Sequence, residues 1–169
     1  MLKRTVRLVL VVFTCALATP AGAELLARKD LSLDMALTIA STAVAACKAQ
    51  GQRVSVAVVG RNGEVLVHLR GDNASPHTME NSFRKAYTSR TFRVPSGEMV
   101  KRLRDNPQLG AIHLTNVVAA QGALPIMVGT DVIGAAGVSG AVTTAESAGG
   151  VKDEACVKAG LDKIADQLK

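Results

Sequence analysis

The chain has 169 residues, a length typical of one domain. Hydrophobic residues make up 48% and charged residues 20% of the sequence, a globular balance that excludes a disordered charged tail. Aromatic residues make up only 2%, so we do not expect a nucleic-acid module built on stacked aromatic side chains.

The first 23 residues have the three-part pattern of a secretory signal peptide. Basic residues at positions 3, 4 and 7 precede an apolar run over residues 8–18, and small residues follow at 21–23. The apolar run is too short to span a bilayer core of about 30 Å, so no stable membrane anchor is expected. We therefore predict cleavage after Ala23, a periplasmic or secreted location, and a single domain over residues 24–169.

The net charge of the predicted mature chain is mildly positive. The first 23 residues contain three basic residues and no acid, so their removal lowers the formal net charge from +6 to +3. This bias suits a small anionic ligand, but it is too weak to indicate a nucleic-acid partner.

Two cysteines, Cys47 and Cys156, would remain after cleavage. In an oxidising compartment they could form one disulfide. The alternative is two small buried thiols, because free cysteine is among the most buried residue types. Neither cysteine lies in a CxxC or Cys/His cluster, so the sequence does not indicate a zinc site.

The first half of the mature chain is predicted to form a helix, a β-hairpin and a second helix. The first helix spans residues 31–50, with Ser32 as its N-cap and a buried stripe that comprises Leu33, Leu37, Ala40, Val44 and Cys47. Alternating apolar residues over 54–58 and 65–69 flank a glycine-containing turn and predict the hairpin. The second helix is expected to begin at Ser75-Pro76, with Ser75 as its cap, and to end near Arg93.

The second half is predicted to contain another helix, another hairpin and a last helix. Ser96 is the expected cap of the third helix, and residues 109–122 show no clear pattern. Strands over 124–128 and 132–138 precede a helix over 152–168. Asp153 would lie in the first turn of this helix, where the helix dipole stabilises an acidic side chain. Two hairpins between helices predict an α+β sandwich, with an antiparallel sheet and the terminal helices on one face, and argue against a doubly wound parallel sheet.

Two glycine- or serine-based motifs are weak candidates for chemistry. The glycines of residues 134–140 lie within a predicted strand and precede a loop, whereas a dinucleotide fingerprint should open a helix. Ser139 lacks the Gly-x-Ser-x-Gly turn of a hydrolase nucleophile. We interpret both features as structural.

His77 is the best placed of the three histidines. It begins the second helix, whose positive end should keep the imidazole neutral and free to bind a metal. Arg84 lies two turns later on the same side and could pair with a ligand carboxylate. A solvent-facing histidine is the alternative for His77. We interpret His68 as a surface or packing residue and give His113 a structural or neutral role.

The second helix is also rich in basic residues, namely Arg84, Lys85, Arg90 and Arg93. The ordinary interpretation is a solvated helix face, and the alternative is an anion-binding wall. Phe83 and Tyr87 lie four positions apart on this helix, a spacing more typical of a core pair than of a ligand box.

The order of short segments along the chain resembles the GlcG/HbpS family, which includes the C-terminal domain of PduO-type proteins. The segments are Val56–Val59, Asn62-Gly63, Val65–Val67, Lys85–Thr88, Thr91–Pro95, Leu124–Ile126, Val132–Ala135, Gly137–Gly140 and Asp153–Cys156. The resemblance covers residues 31–169. It implies a profilin-like α+β sandwich with a sheet of about five strands, assembly into dimers or larger rings, and haem binding in some members. A link to iron and redox sensing is also implied for some secreted members.

From this resemblance we expect a haem-binding protein and a homo-oligomer. His77 is the expected axial ligand of the iron, Arg84 or Arg90 would pair with a propionate, and His113 is the rival ligand. One alternative is an enzyme that degrades haem or converts another small molecule. The other is a cofactor-free accessory that works with a sensor partner protein.

Overall fold

The computed structural model describes residues 24–145 and 148–169. The predicted signal peptide, residues 1–23, lies outside the described residues. The elements in chain order are α1 (Leu33–Ala49), β1 (Ser55–Val59), β2 (Val65–Arg70), α2 (His77–Phe92), α3 (Gly97–Asp105), a 3₁₀-helix (Gly110–His113), β3 (Ala123–Val128), β4 (Asp131–Ser139), α4 (Gly149–Lys163) and a last 3₁₀-turn (Ala165–Gln167). Within the described ranges, no helix is long and apolar enough to cross a membrane.

The sheet is antiparallel and has the strand order β2-β1-β4-β3. This confirms the α+β class and both predicted hairpins, but the described part of the chain forms four strands where about five were expected. The segment between α3 and β3 does not add a strand, because it runs across α2. There the Val118 amide donates to Thr88 Oγ1 at 2.9 Å, and Arg84 Nη2 donates to the Val117 carbonyl at 2.8 Å.

The terminal helices α1 and α4 pack on one face of the sheet, as predicted. Cys47 and Cys156 form a disulfide between them, with 5.6 Å between the Cα atoms. The two helices approach closely at Gly160, where a β-carbon would stand only 2.5 Å from the Ile39 carbonyl oxygen. The absence of a side chain at Gly160 makes this approach possible. Ile39 and the disulfide belong to the main apolar core, which also receives Val56, Val58, Ile126, Val138 and Val157.

The predicted buried stripe of α1 is partly wrong. Leu33 and Leu37 are 60% and 41% exposed, whereas α1 buries Ala36, Ile39, Ala40, Ala43 and Cys47. Small alanines face the core because α4 approaches closely, and the larger leucines turn outward. Apolar periodicity found the helix but placed its buried face about one residue away from the true one.

The remaining long helix, α2, packs on the opposite face of the sheet. There Ala86 of α2 forms a small buried cluster with Ala57, Val59 and Ala135 of the sheet, and Phe83 packs against it. Gly137 lies beneath the helix, and a β-carbon at this position would stand 2.4 Å from the Ser82 carbonyl oxygen. The glycines of β4 therefore permit close helix–sheet packing, a role that small residues in strands commonly have.

The cap predictions had mixed outcomes. Ser32 Oγ accepts a hydrogen bond from the Met35 amide at 3.2 Å, as expected for an N-cap. Ser75 makes no side-chain cap and contributes its carbonyl to Thr78 instead. Ser96 Oγ accepts from the amide of Ala123 at 3.0 Å, so it joins α3 to the start of β3 and does not cap its own helix.

Candidate functional site

A groove of about 530 Å³ lies between α2 and the segment at the end of the first 3₁₀-helix. We call it the α2 groove, and its lining residues are Glu80, Phe83, Arg84, Ile112, His113, Leu114, Thr115 and Asn116. Its size lies within the range of small-molecule sites. Its lining is mixed: Phe83, Ile112 and Leu114 are apolar, and the Arg84 guanidinium and the His113 imidazole lie beside the Glu80 carboxylate.

The far wall of the groove is fixed to α2 by hydrogen bonds. Arg84 Nη2 donates to the Val117 carbonyl, and Thr88 Oγ1 accepts from the Val118 amide. Arg84 Nη1 also lies 3.4 Å from Glu80 Oε1, a long contact at an exposed pair. The Arg84 guanidinium is thus oriented by the wall, while about a third of its side chain stays open to a ligand.

The groove brings Arg84 and His113 together and leaves His77 outside its lining. His113 is the last residue of the 3₁₀-helix and is exposed. His77 is the first residue of α2, also exposed, and lies one helical turn before Glu80 on the same side of the helix. The site roles predicted for both histidines stay predictions.

Arg90 lies near the other end of α2 and does not line the groove. Its Nε atom is buried and has no hydrogen-bond partner among the described residues. Burial, together with the nearby cations of Arg93 and Arg61, lowers the pKa of the Arg90 guanidinium. Arg61 itself is paired with Asp30 and Asp131 at 2.7 and 2.8 Å, and this network joins the N-terminal segment to both hairpin turns.

The basic residues of α2 do not form one surface. Lys85 is only 4% exposed, and its Nζ atom contacts Asp153 Oδ2 at 2.8 Å and the Val138 carbonyl at 3.1 Å. The interpretation of Lys85 as part of a solvated face is therefore wrong. One residue along a helix turns the side chain by about 100°, which takes Lys85 to the sheet while Arg84 faces the groove.

Asp153 also departs from its expected role at a helix N-terminus. The helix α4 begins at Gly149, so Asp153 lies in its second turn, buried, and its Oδ1 atom accepts from the Ala141 amide at 3.1 Å. Burial raises the pKa of this carboxyl, against the opposing effect of the Lys85 ammonium. Local sequence gave no signal for this pair, because its two residues are 68 positions apart.

A row of polar contacts joins α2 to the sheet. Ser55 Oγ and Thr78 Oγ1 are 2.7 Å apart, and Asn81 Nδ2 donates to Ser139 Oγ at 3.0 Å. His68 Nε2 lies 2.9 Å from the Met79 carbonyl, so His68 has the packing role predicted for it. Burial lowers the pKa of the His68 imidazole. Ser139 is 3% exposed and structural in its contacts, with no open approach for a substrate.

The aromatic pair of α2 serves both the core and the groove. The rings of Phe83 and Tyr87 are 5.8 Å apart and tilted. Phe83 packs against the small apolar cluster and also lines the α2 groove. Tyr87 lies against Gly63 in the β1–β2 turn.

The donor set of the groove fits a porphyrin iron better than a bare metal ion. Among the described residues, no three His, Cys, Asp or Glu side chains stand close enough to hold an ion together. A porphyrin brings four nitrogen ligands of its own, so one imidazole can complete the coordination. Arg84 offers a partner for a carboxylate, and Phe83, Ile112 and Leu114 offer apolar contact.

Comparison with known proteins gives the same family as the sequence segments. The family model described as haem degrading protein HbpS-like matches residues 31–162. A protein of Citrobacter freundii, described as an uncharacterized 15.0 kDa protein in the dhaT-dhaS intergenic region, is 32% identical over 116 residues. The match covers 60% of this chain and 82% of that protein.

Solved structures agree with this result. The crystal structure of HbpS has a TM-score of 0.77 and 34% identity, and the match covers 86% of this chain and 98% of HbpS. The crystal structure of a PduOC–haem complex shares the fold, with a TM-score of 0.68 at 20% identity over 79% of this chain and 94% of that one. This chain belongs to the HbpS-like family whose model it matches.

Proposed function

We propose that this protein is an exported haem-binding protein that holds haem in the α2 groove. The observation that carries the proposal is that Arg84 and His113 line one groove together with Phe83, Ile112 and Leu114. The family description and the haem bound by PduOC, a protein of the same fold, support haem as the ligand.

Each side of the groove has a separate task in this proposal. Phe83 and Ile112 contact the apolar macrocycle, as does Leu114, whose side chain is 56% exposed. Arg84 pairs with a propionate and exchanges its long contact with Glu80 for a charge-assisted hydrogen bond. His113 lies within the groove and is the first candidate for the iron, and His77 near its end is the second. Bound haem would supply one-electron chemistry.

Haemin titration of the purified mature protein tests the proposal. His113→Ala should shift the Soret band and weaken binding, whereas Arg84→Ala should weaken binding by about ten- to a hundredfold without moving the band. Arg102→Ala is the control, because Arg102 is exposed on α3 and does not line the α2 groove. If His77→Ala alone moves the band, His77 is the ligand. Weak, unsaturable binding by the unaltered protein would overturn the haem proposal.

Haem degradation is a second candidate function, favoured by the description of the family model. Loss of the Soret band on addition of a reductant or peroxide, with release of iron, would support it. A band that persists over many hours would favour binding without catalysis.

Export is part of the proposal and is supported by two independent features. The N-terminal segment has the pattern of a signal peptide, and Cys47–Cys156 is a disulfide of the kind that persists in oxidising compartments. The protein isolated from the periplasmic or secreted fraction should begin at Glu24. Retention of Met1 in that fraction would contradict cleavage.

Self-association is also proposed. The exposed side chains of Leu33 and Leu37 lie one turn apart on α1, and no further strand of the described residues pairs with the outer edge of β2 or β3. Light scattering should give at least the mass of a dimer at micromolar concentration. The mass of a monomer across that range would remove the claim.

A further inference from the structure

A second groove, of about 610 Å³, lies beside the C-terminal half of α1. We call it the α1 groove. It is bounded by the C-terminal half of α1, the α1–β1 connection and the end of β2, with lining residues Ser41, Val44, Ala45, Lys48, 51–54 and 69–73. None of these residues lines the α2 groove, so the two spaces are separate.

The floor of the α1 groove is apolar. It consists of Val44, Val54 and Leu69, all of which pack against the main core. Gly71 packs directly against the Val54 backbone beside this floor, since a β-carbon at Gly71 would stand 2.7 Å from the Val54 carbonyl oxygen. A ligand in this groove would therefore meet hydrocarbon below it, which favours a ligand with an apolar body.

The rim of the groove is basic. It carries three cations, Lys48, Arg53 and Arg70, and one acid, Asp72. Lys48 is paired with Asp72 at 3.1 Å, and Arg70 Nε donates to the Ala74 carbonyl at 2.9 Å. Arg53 is exposed, and its side chain makes no hydrogen bond or ion pair with the described residues. Arg53 is thus the cation that is free to meet a ligand.

The C-terminal end of α1 does not cancel this positive rim. Carbonyl groups at a helix end repel anions when they lack partners. Here the Cys47 carbonyl accepts from the amides of Gln50 and Gln52, and the Lys48 carbonyl accepts from Gly51. The charged side chains therefore dominate the field at the mouth of the groove.

We propose that the α1 groove binds a small hydrophobic carboxylate, with its apolar body on the valine–leucine floor and its carboxylate on Arg53. The floor excludes an inorganic anion as the natural occupant, because such an ion would leave the apolar surface exposed to water. A neutral hydrocarbon would leave Arg53 without a ligand partner, whereas a carboxylate uses both the floor and the rim. This inference is independent of the haem proposal.

Isothermal titration of the mature, disulfide-intact protein with decanoate tests the inference. We expect saturable binding at one site per chain, with no measurable binding of acetate or inorganic phosphate. Arg53→Glu should weaken decanoate binding at least tenfold, because it replaces a charge-assisted hydrogen bond with repulsion. Arg102→Glu makes the same charge change at an exposed position on α3 outside both grooves, and it should stay within twofold.

A second variant tests the space itself. Ala45 is exposed and lines the groove, so Ala45→Trp should fill the groove and abolish binding while far-UV circular dichroism stays unchanged. The proposal is overturned if Arg53→Glu binds decanoate like the unaltered protein, or if acetate binds as tightly as decanoate. It is also overturned if Arg84→Ala weakens decanoate binding and Arg53→Glu does not, because the ligand would then lie in the α2 groove.

Discussion

The two faces of the sheet are built on different principles. The α1/α4 face is dry: its core consists of aliphatic side chains and a buried disulfide. The α2 face is polar: it holds the His68–Met79 hydrogen bond and the Ser55–Thr78 contact, and its Lys85 reaches Asp153 of α4. A dry face stabilises through apolar area removed from water, whereas a polar face must satisfy every buried donor and acceptor with its geometry. The polar face also carries the α2 groove, so the candidate site lies on the face whose side chains are held by specific hydrogen bonds.

The largest expected effect comes from breaking the ion pair that joins Lys85 of the polar face to Asp153 of α4. Lys85→Met leaves the Asp153 carboxylate buried without its cation, which should cost about 3–5 kcal/mol of stability. Burial favours the protonated carboxyl, so this loss should shrink as the pH falls toward 5. Denaturant titration at pH 7 and pH 5 measures both effects.

A double-mutant cycle provides the control for that prediction. Asp153→Asn removes the charge but keeps an acceptor for the Ala141 amide. The double variant Lys85→Met/Asp153→Asn should cost clearly less than the sum of its single changes. Strict additivity would mean that the two side chains are not energetically coupled.

The disulfide of the dry face should have the next largest effect. It joins residues 109 positions apart, and removing it in Cys47→Ala/Cys156→Ala should cost about 2–4 kcal/mol. Haemin affinity should stay within twofold, because the bond lies on the opposite face from the α2 groove. A large loss of haemin affinity in the folded variant would mean that the disulfide on the dry face affects the α2 groove on the other face.

Overfilling the contact between α2 and the sheet should have an intermediate effect. Gly137→Ala places a methyl group against the Ser82 carbonyl and the Ala86 amide, and backbone must move, at a cost of about 1–3 kcal/mol. Gly110→Ala is the matched control, since a β-carbon there meets nothing within 4 Å, and its cost should stay below about 0.5 kcal/mol. Thermal unfolding of the two variants measures both costs. Equal losses of stability in Gly137→Ala and Gly110→Ala would contradict the prediction.

The smallest effect should be a pH dependence on the polar face. Burial lowers the pKa of His68, so the unfolded state binds a proton more readily than the folded state. The stabilising contribution of neutral His68 is complete above about pH 6.5 and falls as the pH drops below that value. His68→Gln can still donate to the Met79 carbonyl and should flatten this part of the stability profile. An unchanged profile in His68→Gln would assign the dependence to other groups.

Local sequence determined the elements of this fold. Alternating valines predicted β1 and β2, and glycine-containing turns predicted the hairpins. Ser32 was correctly predicted as the N-cap of α1. These features depend on neighbours a few positions away, so periodicity and turn chemistry are sufficient to find them. The family could be identified from the order of such segments, because that order is itself a property of the sequence.

Tertiary structure alone decided which side chains face inward and which meet. Lys85 and Arg84 are adjacent in sequence, yet one is buried against Asp153 and the other faces a groove, because α2 is clamped between the sheet and the 110–118 segment. Leu33 faces solvent because α4 takes the side of α1 where the alanines lie. The meeting of Arg84 with His113, and the exclusion of His77 from their groove, likewise follow from where a patternless segment crosses a helix. Such contacts join residues far apart in the chain, so no local pattern encodes them.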